Sequence, residues 1–242
     1  MSLPTDRIRN KATLLHDAAQ AVGEGEPLPF DQAADVCVLQ IDGGDAFADQ
    51  TLTLTGNAAN NETFTIGLQT YTWKDALSSP AVPNEVLVDA DADASIDNAV
   101  AAIMATPSLE GTSFSTGTKE NINVTAVNGA GDTMDVTARI RGTVMNTLDT
   151  TETMGSASWG AATLTGGTDF VGTVGFLATL DDRHFGSIAA VPLEGGAAVL
   201  SASAVGRWRI DMAGVALFKA PIVAYTSGVI NVRILHRRKS QG

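Results

Sequence analysis

The chain is poor in the residues that build most metal and thiol sites. Its 242 residues include one cysteine and three histidines. Cys37 has no second cysteine to bond with, and its place in a short apolar run predicts a buried strand residue rather than a nucleophile. The histidines stand far apart and lack the paired spacing of zinc ligands: they are His16, His184 and His236.

Aromatic and basic residues are also scarce. Aromatics make up 5% of the chain, which disfavours a sugar-binding platform. The formal charge of −12 disfavours a general nucleic-acid binder. The most apolar segment, residues 213–230, is too short and too interrupted to span a membrane. The charges of Asp6, Arg7 and Arg9 interrupt any signal-peptide core, so we expect synthesis in a cytoplasm.

Two acidic patterns invite a search for chemistry. Asp89, Asp91 and Asp93 alternate as in a calcium loop, but Ala94 and Val100 stand where that loop needs glycine and glutamate. An acidic helix cap explains the pattern better. Residues 181–184 place acid beside imidazole, yet no nucleophile motif accompanies them, which favours a turn. The sequence therefore predicts no enzyme, no catalytic or metal-binding residue and no cofactor.

The rest of the sequence indicates a globular, turn-rich protein, with 44% hydrophobic residues and 24 glycines. Residues 51–56 and 162–167 are both short alternating runs that end in glycine, as half-buried strands do at turns. If the two runs lie side by side, residues 51–167 can form a domain inserted into another. We therefore predict an N-terminal arm (1–20), a discontinuous β-sandwich (21–50 and 168–238), an inserted α+β domain (51–167) and a basic tail (239–242).

The predicted insert combines strands with a single helix. Ile96, Val100 and Ile103 recur at helical spacing, and Ser95 or Asp93 is a candidate cap. The strands are predicted at residues 52–54, 63–66, 70–73, 85–88, 122–127, 134–140 and 147–154. The side chains expected to face the helix are those of Val124, Val136, Ala138, Ile140 and Leu148. The insert is thus one helix on a small, mainly antiparallel sheet.

Charge divides unevenly between the two predicted domains. Residues 46–167 carry 14 acids and four bases, a net charge of −10, and the remainder carries a net charge of −2. Self-repulsion of this size keeps an outward-facing module soluble and discourages self-association.

The predicted sandwich uses segments on both sides of the insert. Its strands are expected at residues 35–41, 170–177, 187–191, 197–203, 207–212, 217–224 and 229–235, with a hairpin turn at 225–228. The arm is interpreted as a short helix at residues 11–21 that orders on a partner, or as a frayed terminus. Basic residues near the two termini form a candidate partner-binding set: Arg7, Arg9, Lys11, Arg237, Arg238 and Lys239.

Parts of both predicted domains resemble known modules. The segments GNAANNETFTIG (56–67), TYTWK (70–74), ASIDNAVAAI (94–103) and ASWGAATL (157–164) resemble a module recurring in tailed-bacteriophage structural proteins. The segments VGTVGF (171–176), GRWRIDMAG (206–214) and AYTSGVINV (224–232) are similar to a small β-sandwich of phage virion proteins.

The resemblance implies a mainly β, non-enzymatic virion protein on the capsid exterior. A capsid decoration or cement subunit is the leading interpretation, with the major capsid protein or other virion proteins as partners. The expected assembly is a homo-oligomer, for which a trimer is one candidate. A tail, neck or fibre component is the alternative, followed by a carbohydrate-binding attachment module.

Overall fold

A computed structural model describes residues 10–19, 21–25, 27–29, 36–181 and 183–237. The protein is mainly β, with one α-helix among these residues. It divides into two compact units, Met1–Asp45 with Asp169–Gly242 (the split unit) and Ala46–Thr168 (the continuous unit). The continuous unit starts five residues before the predicted boundary at 51 and ends one residue after 167.

The strands of the split unit are β1 (Asn10–Ala19), β2 (Leu28–Pro29), β3 (Val36–Gly44), β12 (Val171–Gly175), β13 (Leu177–Thr179), β14 (Gly186–Ser187), β15 (Ala190–Pro192), β16 (Ser201–Ala202), β17 (Gly206–Asp211), β18 (Leu217–Lys219), β19 (Ile222–Ser227) and β20 (Val229–Arg237). Those of the continuous unit are β4 (Phe47–Leu54), β5 (Thr63–Ile66), β6 (Gln69–Lys74), β7 (Glu85–Leu87), β8 (Val124–Asn128), β9 (Thr133–Arg141), β10 (Thr150–Glu152) and β11 (Ala157–Trp159). The helix α1 spans Ala92–Ile103, and 3-10 turns span Pro107–Leu109 and Thr143–Thr147.

Two four-stranded sheets build the continuous unit. Their strand orders are β10-β5-β6-β7 and β11-β4-β9-β8. All pairings are antiparallel except β6 with β7. The alternation of apolar and polar residues fixes the register, since a one-residue slip would turn each apolar side chain away from the core. The combination of one helix with mainly antiparallel strands agrees with the prediction, but the strands form two sheets where the sequence predicted a single one.

Helix α1 packs its apolar face into the continuous unit's core. Ile96 and Ile103 are fully buried, whereas Val100 is half-buried and packs at the edge. The cap differs from the prediction: Asp91 occupies the N-cap and its Oδ1 accepts the Ala94 amide at 2.9 Å. Ser95 is buried one turn later, where its hydroxyl donates to Asn57 Oδ1. The helix therefore begins earlier than the apolar spacing alone indicates.

Aromatic side chains fill the centre of the same core. Phe64 stacks on Tyr71 with ring centroids 4.9 Å apart and lies 5.4 Å from Trp73. Burial of the Phe64 side chain alone contributes roughly 1.5–3 kcal/mol by removing it from water. Val124, Val136 and Ala138 are buried as expected.

Two details of the predicted insert are wrong. Ile140 is 56% exposed, because β9 runs past the end of the core before its last apolar residue is covered. The predicted strand at 147–154 is shorter, since a 3-10 turn precedes it and only Thr150–Glu152 pairs with β5. Both errors concern element ends, where alternation continues beyond the packed region.

The split unit is a sandwich of short sheets around a second core. Its five-stranded sheet has the order β1-β20-β3-β17-β15, and two smaller sheets have the orders β16-β12-β19 and β14-β13-β18-β2. Inward side chains from all three sheets share one cluster, exemplified by Ile41, Val174 and Phe218. Across it, Phe176 and Trp208 have ring centroids 6.1 Å apart. The unit is therefore a single packed domain built from two chain segments.

The predicted helix at residues 11–21 is wrong. Residues Asn10–Ala19 form β1, which pairs antiparallel with β20, and Leu15 and Ala19 pack against the core. The weak helical spacing of this segment loses to the backbone ladder that the edge of β20 provides, as tertiary pairing commonly overrides propensity. The arm thus contributes a strand to the sandwich of its own chain.

The predicted hairpin at 225–228 is also wrong. β19 pairs with β12, whereas β20 pairs with β3 and β1, so the chain passes from one sheet to another at Gly228. Gly228 has φ +92°, and an added Cβ would lie 2.9 Å from Phe170 Cα. Tyr225 Oη donates to the Gly228 carbonyl at 2.8 Å and fixes the corner. The turn residues at 225–228 predict a change of chain direction, but they do not determine which strands pair.

Candidate interaction surfaces

Two of the six predicted partner-binding residues, Lys11 and Arg237, are among the described residues, and they lie on neighbouring strands. In the β1–β20 ladder, Asn10 pairs with Arg237 and Lys11 pairs with His236. The start of β1 and the end of β20 therefore share one corner of the five-stranded sheet, which we call the basic corner, defined by Lys11 and Arg237. Arg7, Arg9, Arg238 and Lys239 lie outside the described residues.

The pair of Asp181 and His184 forms a turn. Asp181 accepts hydrogen bonds from the amides of His184 and Arg183, both at 3.0 Å, and from the Thr179 hydroxyl at 2.8 Å. These donors hold the pKa of Asp181 well below its usual range, the His184 amide contributing most. His184 Nδ1 lies 3.2 Å from Asp181 Oδ2, with both side chains largely exposed. The carboxylate organises the loop.

The alternating aspartates serve the N-terminus of α1. Asp91 caps the helix, and Asp93 adds negative charge to its first turn, where the helix dipole favours acids. Asp89 accepts the Ala90 amide and receives a weak contact from Asn98. In the part of the chain that the structure describes, no three acidic, cysteine or histidine side chains are grouped to hold a metal ion.

Glu85 is the most deeply buried carboxylate with a defined set of partners. It accepts the Ser78 hydroxyl at 2.7 Å and the Ser78 amide at 2.9 Å, with Lys74 Nζ at 3.7 Å. Burial raises the pKa of Glu85, but these hydrogen bonds and the lysine charge outweigh burial and lower it overall. All its partners belong to neighbouring loops and strands, so the group holds the loop before β7.

Cys37 and the tryptophans are enclosed by the fold. Cys37 is buried in β3 as expected, and burial raises the pKa of its thiol to about 12. Trp73, Trp159 and Trp208 are all buried. A shallow pocket of about 340 Å³ is lined by Thr150, Thr151, Glu152, Trp159, Ala161 and Ala162. Trp159 is only 8% exposed and its indole donates to the Thr151 carbonyl, so little of its ring surface is available to stack on a sugar.

Two exposed apolar residues were missed by sequence reasoning. Leu68 lies in the two-residue turn between β5 and β6, and Ile122 lies in the loop before β8. The signal was available at Leu68, because such tight turns strongly prefer Gly, Asn and Asp. At Ile122 the apolar residue was assigned to a strand that begins only at Val124.

Comparisons with known proteins return one distant structural likeness. No protein-family model matches the chain, and no curated protein matches it in sequence. A crystal structure of the SPBc2 prophage-derived protein YomS aligns over 97% of this chain and 99% of that chain, with a TM-score of 0.40 and 8% identity. A likeness of this extent assigns neither a shared fold nor a role. No helix in the described ranges is long and apolar enough to cross a membrane.

Proposed function

We propose that this chain is a non-enzymatic structural protein of a tailed-phage particle, a decoration or cement subunit bound to the major capsid protein. The family resemblance of residues 56–67, 94–103 and 206–214 motivates the virion assignment. The observation that carries the attachment model is the basic corner, where β1 and β20 bring basic residues from both ends of the chain together.

The buried polar groups support a structural role. Glu85, Ser95 and Asn98 are buried, and each has hydrogen-bond partners inside the continuous unit. Asp181 is committed to a turn. Side chains engaged in this way stabilise loops and a helix start, as expected of a protein that acts through its surfaces.

In the proposed arrangement the split unit sits on the capsid through the basic corner. A carboxylate-bearing capsid surface would attract Lys11 and Arg237, while the continuous unit's net charge of −10 disfavours its own approach to the same surface. The continuous unit then faces solvent, and the subunit binds as a homo-oligomer.

The test is co-sedimentation of purified protein with capsids that lack it. The double variant Lys11→Glu with Arg237→Glu should bind at least about tenfold more weakly, and wild-type binding should fall with salt as screening shortens to about 8 Å at physiological strength. The double variant Arg207→Glu with Arg209→Glu is the matched control, since it makes the same change of charge at two exposed positions in β17 of the same sheet.

Two results would contradict the proposal. Binding that is insensitive to salt and to the double variant would place attachment on another surface. A low copy number per particle, counted by quantitative mass spectrometry against the major capsid protein, would instead favour a tail, neck or fibre position.

A further inference from the structure

A lysine amine, a carboxamide and a buried carboxylate meet at one place in the continuous unit. Lys74 Nζ donates to Asn61 Oδ1 at 2.7 Å and lies 3.7 Å from Glu85 Oε1. These side chains supply a nucleophile, an amide carbonyl and a group that can accept a proton, which is the set needed to join two side chains covalently. We call Lys74, Asn61 and Glu85 the amide triad.

Backbone pairing holds the amide triad together. In the parallel β6–β7 ladder Thr72 lies opposite Glu85, so Lys74, two residues further along β6, projects from the same face of the sheet as Glu85. Asn61 lies in the turn before β5, and its amide donates to the Trp73 carbonyl at 2.8 Å. Asn61 is therefore fixed beside the residue that precedes Lys74.

The side chains of the amide triad are also partly withdrawn from water. The Glu85 side chain is 4% exposed and that of Lys74 is 24% exposed. The hydroxyl and amide of Ser78 both donate to the Glu85 carboxylate and fix its orientation. Asn61 has φ +68°, a conformation that asparagine adopts more readily than most other residues. The reacting groups are thus ordered before any bond forms.

We infer that Lys74 and Asn61 become joined by an intramolecular isopeptide bond, with Glu85 as the acid–base group. The carbon to be attacked, Asn61 Cγ, is bonded to the oxygen that already accepts the hydrogen bond from Lys74. A carboxamide is a weak electrophile, but groups held in a reactive geometry behave as though present at roughly 10⁵–10⁸ M. The reaction also has to occur only once in the lifetime of each molecule.

The steps of this reaction balance without a further reactant. The Lys74 ammonium gives a proton to Glu85, and the free amine attacks Asn61 Cγ. A carbon–nitrogen bond forms as the carbonyl electron pair moves onto Oδ1. When the carbonyl re-forms, the bond from Cγ to Nδ2 breaks and Glu85 returns the proton to Nδ2. Ammonia departs and takes the second amine proton, so the products are a neutral secondary amide and one ammonium ion.

The bond would fasten the β5–β6 hairpin. It joins residues 13 positions apart, from the turn before β5 to the end of β6, and the hairpin cannot open while the bond is intact. The hydrogen bonds from Ser78 to Glu85 do not depend on it. The reaction needs no partner and no capsid, so its failure leaves the attachment model untouched, and the reverse also holds.

The experiment is intact-mass spectrometry of the purified full chain under denaturing conditions. Wild-type protein should be lighter than its sequence by one ammonia molecule. Lys74→Arg keeps the positive charge near Glu85 but removes the nucleophilic amine. Asn61→Gly removes the carboxamide and suits the positive φ. Both variants should have the full mass of their sequences.

Two further variants test the roles of the other groups. Glu85→Gln keeps the shape of the side chain but removes the proton acceptor, so most molecules should keep the full mass. Lys119→Arg is the matched control, since Lys119 is an exposed lysine of the same unit and its replacement should leave the ammonia loss unchanged. Circular dichroism checks that each variant is folded.

Peptide mapping of wild-type protein locates the bond. Cleavage after glutamate separates the peptide that ends at Glu62, which contains Asn61, from peptide 63–85, which contains Lys74. The two should be recovered as one linked pair. Folded wild-type protein of full mass, with the two peptides separate, overturns the inference. Ammonia loss that persists in Lys74→Arg arises at another residue and also overturns it, and full bond formation in Glu85→Gln overturns the role of Glu85.

Discussion

The two units solve the same packing problem with different chain connectivity. The continuous unit completes its sheets and core with residues 46–168. Some of its neighbouring strands also follow one another in the chain, as β5 with β6 and β8 with β9 do. In the split unit the central strand β3 lies between β17 and β20, which both follow the continuous unit in sequence. The split unit's core therefore cannot form until the segment that follows the continuous unit pairs with β3.

The difference in chain connectivity indicates which unit folds first and predicts that each unit melts separately. Pairing distant segments costs more loop-closure entropy than pairing adjacent ones, and it slows folding. The Lys219–Glu24 contact, for example, joins residues 195 positions apart. We therefore expect the continuous unit to fold first and to melt independently of the split unit.

The largest expected effect comes from a charge in the continuous unit's core. Ile96→Asp places a carboxylate where the side chain is fully buried, and the cost is several kcal/mol, enough to unfold the unit. Calorimetry of wild-type protein should show two transitions, and the variant should lose one. Val100→Asp should be milder, because Val100 is only half-buried at the edge of the core.

A reciprocal variant sharpens this comparison. Ile210→Asp, at a fully buried position of β17, should remove the other transition and leave the continuous unit's transition in place. A wild-type protein that melts in one step, or a variant that loses both transitions, would show that the two units fold as one.

An intermediate effect is expected at Glu85. Replacing it by Gln removes a buried charge that accepts two hydrogen bonds from Ser78 and lies near Lys74, at a cost of about 1–3 kcal/mol at neutral pH. Only the continuous unit's transition should shift, as measured by calorimetry.

The pH dependence of the same variant has a defined sign. Because the pKa of Glu85 is lower in the folded state than its usual 4.5, its contribution is complete above that value and disappears as pH falls through the folded pKa. The difference between wild type and Glu85→Gln should therefore shrink in acid. A difference that grows in acid would contradict the proposed cause of the shift.

The smallest expected effect is on the stability of the split unit when the whole continuous unit is removed. The Ala46 amide donates to the Thr168 carbonyl at 3.4 Å, so the chain enters and leaves the unit at adjacent points. A short Gly/Ser linker from Asp45 to Asp169 should keep the split unit folded, because the linker is shorter than the segment it replaces and a shorter loop costs less entropy to close. A linker that begins at Asp49 would instead separate the start of β4 from the continuous unit. That part of β4 is paired there, since the Asp49 amide donates to the Thr165 carbonyl.

Circular dichroism and melting of the linked protein and of residues 46–168 alone test this prediction. An insoluble linked protein, alongside a wild type that melts as one unit, would show that the units depend on each other.

Much of the fold could be predicted because local patterns decide it. The spacing of Ile96, Val100 and Ile103 located the helix and its apolar face, since helical periodicity is a property of consecutive residues. Alternation located β5, β6, β9 and β17 to within a residue or two. The acidic character of residues 46–167 follows from composition alone.

Tertiary structure decided which segments pair and which apolar residues stay exposed. The edge of β20 makes residues 10–19 a strand although their spacing is weakly helical, and Gly228 sends β19 and β20 into different sheets. The exposure of Leu68, Ile122 and Ile140 depends on a turn, a loop and a strand end that the core does not cover. The periodicity of local residues determines where strands and helices form. Almost every residue offers the same backbone donor and acceptor, so backbone hydrogen bonding does not specify which strands pair. Burial in a shared core makes that choice.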